Sequence, residues 1–497
     1  MPAKRSFTLA LALLLVAAIP ARATSAPTIT VIDVAPGAGD SYAMDTGAPG
    51  ELNGYLYFQA DDGTNGMELW RSNGTSTVLV EDICVGGNDS SPTDFTQLGT
   101  YLYFRADDCL SGRELWRTNG TTTERVLDIN PGNSGQDSST PRCFAEFNGY
   151  LYFQAEDGTS GRELWRTNGT ITEMVENMYN GSGSSNPNWL TVSGSYLYFQ
   201  AESVTDGVEI WRTNGITTTQ VADINVGASS SSPQHLFSFD GFVYFQAEDL
   251  VTGAELWRTD GTTTTQLLDI NTNGTDSSYP SEFTPLGGYL YFSAVDATHG
   301  TELWRTNGTV TEIVEDFNTT GSSYPGDLTL FDGGIFMSLS DDIHGVELCV
   351  LDAVDPATAI HCWDLNMGIN STGPDYLTVL GDALYFMGEN ALGDDVIWRI
   401  ALDRTREVIA PPVGIVLDCD ECDNEIDSAG SHLYMTVSGS LNGDPIGYEL
   451  AYLTEPSVVL PETNRDGSAW STVMVILAAI TAIAGVGLNV RKGSLAS

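Results

Sequence analysis

Residues 101–129 read YLYFRADDCLSGRELWRTNGTTTERVLDI, and this stretch decides the fold. Tyr101 to Ala106 is a strand-like run whose aromatic residues suit a pleated sheet. Asp107 to Gly112 is a polar loop, and Glu114 to Thr118 a second strand-like run. Asn119-Gly120 predicts a two-residue type I′ hairpin turn, with φ > 0 at both central residues. Thr121 to Ile129 follows as a further strand. In front, Asp94 to Leu98 supplies a first strand and Gly99-Thr100 its turn. The unit is therefore four strands joined by hairpins, the pattern of one propeller blade.

The unit recurs. The second-strand phenylalanine returns at Phe58, Phe104, Phe153, Phe199, Phe245 and Phe292, at intervals of 46, 49, 46, 46 and 47 residues. Looser copies end at Phe336, Phe386 and Met435. The third-strand tryptophan keeps step at Trp70, Trp116, Trp165, Trp211, Trp257 and Trp304. A fixed period of this length indicates a repeat architecture. Helical solenoids need 3.6-residue periodicity, which is absent, and separate sandwiches would need about 100 residues per module. The expectation is an all-β chain: a single β-propeller of about nine four-stranded blades, with eight as the alternative. Thr28 to Gly37 (TITVIDVAPG) mimics a fourth strand and its exit loop without partners of its own. It is expected to close the ring by adding an outer strand, 28–34, to the last blade, which removes a sheet edge open to aggregation.

The recurring ELWRTNGT, with ELWRTDGT at Glu255–Thr262, resembles the ELWxxDGT repeat of large secreted and surface proteins. The resemblance covers residues 50–320 closely and 320–455 loosely. It implies a β-propeller and repeat-mediated roles at the cell surface.

The ends place the chain. Residues 1–23 carry Lys4 and Arg5, an apolar run from Phe7 to Ile19 and the small-residue site Ala21-Arg22-Ala23, as a cleaved secretory signal does. Trp470 to Val490 is uncharged and is followed by Arg491 and Lys492, which fits one transmembrane helix with a cytoplasmic tail, 491–497. Residues 24–455 are then an extracellular propeller, probed from outside and most simply monomeric, and 456–469 a stalk. Leu460-Pro461-Glu462-Thr463 resembles a sortase signal, but Asn464 stands where that signal has glycine.

The chain has 66 acidic and 20 basic residues, a net charge of −46, which sets nucleic acid aside as a partner. Blade topology sends the second-to-third loop and the blade-to-blade loop to one face. That face collects Asp61, Asp62, Asp107, Asp108, Glu156, Asp157, Glu202, Glu248, Asp249, Asp296, Asp341 and Asp342, with Ser90-Ser91-Pro92 and Ser231-Ser232-Pro233. Two readings stand: carboxylates that cap their own turns, taken first, and a ring of hard oxygen ligands for Ca²⁺. The densest acidic run, 418–427, offers Asp418, Asp420, Asp423 and Asp427 as Ca²⁺ ligands. Its spacing departs from an EF-hand loop, with Asp423 at the glycine position and Ala429 at the glutamate position. Cys419 and Cys422 within it fit a disulfide better than zinc, since no second ligand pair is near.

An exported chain with seven cysteines suggests disulfides and one free thiol. Cys84 and Cys109 fall on one face, Cys349 and Cys362 across one hairpin, and Cys143 is odd, with connectivity open. Sequons stand at Asn73, Asn88, Asn119, Asn168, Asn180, Asn273, Asn307, Asn318 and Asn370. Five are spelled Asn-Gly-Thr, four of them after Glu-Leu-Trp-Arg in the repeat hairpin, which wants Asn-Gly for its own turn, so glycosylation is an expectation only.

No enzymatic motif is present: the five histidines are scattered, and no nucleophile elbow, phosphate loop or His-Glu-x-x-His occurs. The arginine of each Glu-Leu-Trp-Arg recurs with the blade, as a structural residue would. The first reading is a surface-displayed, non-enzymatic adhesion or binding module for a protein, glycan or cation. The second is a propeller hydrolase or lyase acting on glycans from the central funnel.

Overall fold

Side chains alternate across a strand, so a run that is apolar at every position must be covered on both faces. The second strand of each unit is such a run. In Tyr101–Asp107, Leu102, Phe104 and Ala106 pack backward against Leu52, Tyr57, Leu69 and Ile83 of the preceding unit. Tyr101 and Tyr103 pack forward against Leu151, Phe153 and Trp165 of the next. Trp116 on the third strand also faces backward, onto the cluster around Ile83. Every interior layer is thus shared between neighbouring sheets, and no sheet has an apolar face of its own.

The computed structural model describes residues 27–454, apart from 33, 36–39, 44–48, 133–136, 342, 353–359, 367–370, 410, 412–414, 418–426, 430–431 and 442–443. These residues form a nine-bladed all-β propeller. Blade 2 is typical: Thr93–Leu98, Tyr101–Asp107, Arg113–Thr118 and Thr123–Leu127 pair antiparallel in chain order. First strands of successive blades touch one another and so lie innermost, around the axis. The first strand of blade 1 is Gly50–Leu52, and those of blades 3 to 8 are Arg142–Phe147, Asn188–Ser193, Gln234–Phe239, Ser281–Leu286, Gly326–Phe331 and Asp375–Leu380.

Blade 9 joins the two ends of the propeller. His432–Leu441 pairs with Asp444–Thr454, whose outer edge takes Thr28–Ile32 in antiparallel register from Thr28 opposite Thr454 to Ile32 opposite Leu450. Two short pieces, Ile415–Val416 and Asp427–Ala429, both pair with the inner side of His432–Leu441. The loosened copies are therefore true blades, which settles the count at nine.

The repeat hairpin departs from the type I′ expectation. Gly120 has φ +82, but Asn119 has no positive φ. Instead the Asn119 side-chain Oδ1 accepts the N–H groups of Thr121 and Thr122, and the Asn119 N–H donates to Thr122 O. The connection is a four-residue loop closed by an Asx turn, and the fourth strand starts two residues later than the sequence suggests. Glycine is required there for a second reason. A Cβ on Gly169, the equivalent in blade 3, would sit 2.4 Å from Arg117 Nη1 and 2.6 Å from the Tyr103 hydroxyl.

That contact is the role of the repeat arginine. Arg117 lies over the Tyr101 ring, 4.4 Å from its centroid, and its Nη1 donates to Gly169 O of blade 3 at 2.9 Å. Arg71 reaches Gly120 O, and Arg166 reaches Gly215 O, in the same way. These three arginines tie their blades to the outer turn of the next.

The repeat glutamate is buried. Glu68, Glu114, Glu163, Glu209, Glu255, Glu302 and Glu347 are at most 2% exposed. Each holds its blade's exit loop: Glu209 accepts Ile224 N at 3.0 Å, Ser231 N at 2.9 Å and Ser231 Oγ at 2.6 Å. Glu209→Ala leaves three donors without this acceptor, at about 1–3 kcal/mol for each one buried. The variant is expected to lose about 4 kcal/mol of stability in guanidinium unfolding, with Glu209→Gln losing less. A loss below about 1 kcal/mol would show that the loop finds other acceptors.

Among the described residues no helix is long and apolar enough to cross a membrane. The expected signal, 1–23, stalk and membrane helix, 470–490, lie outside the described residues.

Candidate binding site at the axis of the loop-rich face

The loop-face carboxylates are used by their own turns. Asp62 Oδ1 accepts Thr64 N and Asn65 N, Asp108 Oδ1 accepts Leu110 N and Ser111 N, and Asp157 Oδ1 accepts Thr159 N and Ser160 N. Asp249, Asp296 and Asp341 repeat the pattern, and Asp61 and Asp107 each accept one N–H two residues on. Burial opposes ionisation of Asp157, Asp249, Asp296 and Asp341, but the donated hydrogen bonds outweigh it and hold these carboxyls below their ordinary value. His299 and His344 bond the carboxylates of their own loops, Asp296 and Asp341, at 2.7 and 2.8 Å. Glu156 pairs with Arg162, and Ser90 and Ser231 bond the buried Glu68 and Glu209. The turn-capping reading therefore accounts for most of this acidic ring. Glu202 and Glu248 remain on the surface of the face, and Asp342 lies outside the described residues.

Cys84 is bonded to Cys109 and Cys349 to Cys362, while Cys143 keeps a free thiol. Asp418, Asp420, Asp423, Cys419 and Cys422 lie outside the described residues, and Asp427 opens the short strand Asp427–Ala429. Among the sequons, Asn73, Asn119, Asn168 and Asn307 accept backbone N–H groups in the repeat turn, and Asn318 donates to Ser322 O. Asn88, Asn180 and Asn273 lie in blade-to-blade loops, and Asn370 lies outside the described residues.

A different set of residues stands on the innermost strands. In blades 2 to 8 the second residue of the first strand has a left-handed backbone: Asp94 (φ 59), Cys143 (φ 59), Trp189 (φ 57), His235 (φ 54), Glu282 (φ 61), Asp327 (φ 53) and Tyr376 (φ 56). In each of these blades the ladder between the first and second strands shifts register at this point. A non-glycine residue here is strained by about 1–3 kcal/mol, and a bulge re-aims its side chain. The position follows directly on the blade-to-blade loop, so it lies at the loop-rich end of the innermost strand.

The backbone repeats but the side chains do not. Blades 2 and 3 give a basic sector, where Arg105 Nε pairs with Asp94 at 2.6 Å and Arg142 stands near. Blades 4 and 5 give an aromatic sector, with the Trp189 and His235 rings 4.7 Å apart. Blades 6 to 8 give an acidic sector of Glu282, Asp327 and Asp375. Between blades 5 and 6 a cavity of about 680 Å³ opens beside His235, lined by Gln234, Gln246, Glu248, Ser277, Tyr279 and Ser281 among others.

The acidic sector carries a strained charge pair. Burial, a hydrogen bond from Asp375 and the charges of Asp375 and Glu282 push the Asp327 carboxyl up to about 7. Asp327 Oδ2 also accepts Tyr376 N at 3.0 Å. Above pH 7 the Asp327 carboxylate is ionised against the charges of Asp375 and Glu282, whereas below it Asp327 is protonated and the repulsion is relieved. Asp327→Asn is therefore expected to raise the melting temperature at pH 8.5 and to leave it nearly unchanged at pH 5. A lowered melting temperature at pH 8.5 would refute the repulsion.

The sequence holds a signal for this ring. Pro92, Pro141, Pro187, Pro233, Pro280, Pro325 and Pro374 each stand two residues before one of its members. The position is locked in register with a repeated proline, yet its seven copies carry six different residue types, so the repeat sets the backbone here and not the side chain.

No protein-family model matches the chain, and no curated protein matches it in sequence. Solved structures that resemble it include one from a study of two prolyl endopeptidases, at 9% identity and TM-score 0.40, covering 70% of this chain and 54% of that one. A puromycin hydrolase mutant complexed with PGG is 14% identical at TM-score 0.35, covering 70% and 58%. Prolyl oligopeptidase B from Galerina marginata is 12% identical at TM-score 0.34, covering 71% and 54%. The chain thus spans little more than half the length of these structures, and the likeness carries nothing about activity.

Proposed function

We propose that the chain is a cell-surface, non-enzymatic binding module whose ligand docks at the axial mouth of the loop-rich face. The observation that carries this reading is the division of labour within the repeat. Its recurring Glu, Arg, Asn and Asp side chains are engaged in holding blades and loops together. The side chains that differ from blade to blade converge at one mouth, on a backbone strained to present them. Recognition of one asymmetric ligand needs that arrangement, whereas a coat or spacer does not.

A signal at 1–23 and an apolar segment at 470–490 support display outside the cell on a single membrane anchor. Full-length chain on beads, in detergent, is expected to capture a ligand from solubilised cell surfaces. Glu282→Gln and Trp189→Asn should reduce that capture, and a chelator arm reads any dependence on Ca²⁺. Capture indifferent to both substitutions would place the ligand elsewhere.

One observation favours a hydrolase as the second reading: Asp327, hydrogen-bonded to Asp375 at the mouth, is a carboxyl raised to about 7. Turnover of a chromogenic glycoside, abolished in Asp327→Asn, would establish it.

A further inference from the structure

The cavity between blades 5 and 6 has a lining that selects among ligands. Its walls are mainly amide and hydroxyl groups, with Gln234 paired opposite Gln246 across the ladder and Ser277 and Ser281 on the far side, and Glu248 adds one exposed carboxylate that disfavours anionic ligands. Gln246 is only 9% exposed, so its amide is a buried donor and acceptor pair beside the opening. Neither Lys nor Arg lines this cavity. Its volume lies within the range of small-ligand sites, about 300–1,000 Å³.

Aromatic rings flank the opening. Trp189, whose ring is tilted 43° to that of His235 at 4.7 Å, is 37% exposed, and Tyr279 is 60% exposed on the blade 5 to 6 loop. Tyr324 takes the equivalent place on the next loop and is 67% exposed. Tyr279 and Tyr324 both have φ 47, a strained setting for a bulky residue, and their N–H groups are held by Ala254 O and Thr301 O. Large rings kept in water on a strained backbone are a binding feature, not a packing one. Burial lowers the pKa of His235, so its ring is neutral at physiological pH.

Flat aromatic faces beside a cleft of amides and hydroxyls match a ligand with apolar C–H faces and a rim of hydroxyls. A net charge of −46 disfavours sulfated or sialylated forms of such a ligand. We propose that the cleft between blades 5 and 6 binds a neutral oligosaccharide, stacking sugar rings on Trp189 and Tyr279 and bonding their hydroxyls through Gln234 and Gln246. This deepens the binding-module reading and rests on it.

The test uses the full-length chain, in a detergent without a sugar head group, on a printed array of neutral, sulfated and sialylated oligosaccharides. Binding is expected on neutral glycans alone. Trp189→Asn and Tyr279→Asn should each weaken it about tenfold, which is about 1.4 kcal/mol of ring stacking. Asparagine tolerates the left-handed backbone better than either aromatic residue, so both variants are expected to keep the melting temperature. A blank neutral array, binding restricted to anionic glycans, or binding unmoved by both variants overturns the proposal. A blank array together with ligand capture from solubilised cell surfaces refutes the oligosaccharide and leaves the binding module standing. Failure of both refutes both.

Discussion

A chain lacking residues 27–35 is expected to lose cooperative unfolding and to associate. Thr28–Ile32 supplies five register pairs to the outer edge of blade 9. Ile29 and Val31 pack onto the cluster of Leu433, Ala451 and Leu453, and Ile32 and Val34 onto the layer that includes Leu56 and Phe58 of blade 1. Val34 N also donates to Glu449 Oε2 at 2.8 Å, the counterpart in blade 9 of the glutamate ties elsewhere. One deletion therefore removes a strand, a share of two interblade layers and a donor to a buried carboxylate. It also exposes the edge of Asp444–Thr454, a template for pairing with another chain. Val31→Pro is the milder version, expected to lower the unfolding midpoint by fixing φ within the strand opposite Ala451 and removing a packed valine from the cluster beneath it. Guanidinium unfolding and size-exclusion chromatography read both outcomes. A deleted chain that stays monomeric, with an unchanged midpoint, would show that blade 9 closes without this strand.

Lowering the pH from 8 to 5 is expected to raise the melting temperature. In the unfolded chain each repeat glutamate titrates near its ordinary 4.5, whereas burial, outweighing the bonds from the exit loop, pushes Glu114 and Glu255 up to about 7. Between those values the folded chain binds more protons than the unfolded one, so stability falls as pH rises. The two shifts correspond to about 3 kcal/mol each, and Glu68, Glu163, Glu209, Glu302 and Glu347 are raised in the same direction. At about 2 cal/mol/K of unfolding entropy per residue, the first two alone raise the melting temperature by roughly 5 °C or more. Below about pH 4 the trend reverses as the turn-capping Asp157, Asp249, Asp296 and Asp341, whose folded pKa values are depressed, become protonated. The maximum should therefore lie near pH 5. Repeating the scan in 1 M salt removes most of the surface repulsion among 66 acids and leaves the buried contribution. Glu114→Gln should flatten the slope whatever its effect on baseline stability. A melting temperature that climbs from pH 5 to 8 in high salt would overturn the assignment.

The architecture is legible because period and alternation are strong signals. Tyr-Leu-Tyr-Phe and Glu-Leu-Trp-Arg recur at nearly constant spacing, and apolar residues on both faces demand neighbours on both sides. The count becomes definite only in space: Val346–Leu351 and Val396–Ile400 have lost parts of the repeat spelling but keep its ladder. The turn at Asn119 is misread because Asn-Gly suits two loops, and the Asn side chain bonds Thr121 and Thr122 more effectively than a two-residue turn would. The loop acids are legible as turn caps. The axial ring is not, because repeat comparison rewards sameness. Asp94, Cys143, Trp189, His235, Glu282, Asp327 and Tyr376 share only a backbone angle.

That shared angle makes the mouth combinatorial. Blades 2 to 8 each present one residue from the same backbone setting, while the arginine and glutamate contacts that hold blades and loops recur through most of the ring. Exchange of a whole repeat for another would thus redraw one sector of the recognition surface without touching the interfaces that hold the wheel together. On the proposed binding role, shuffling of copies in such an array would alter which side chains the mouth offers.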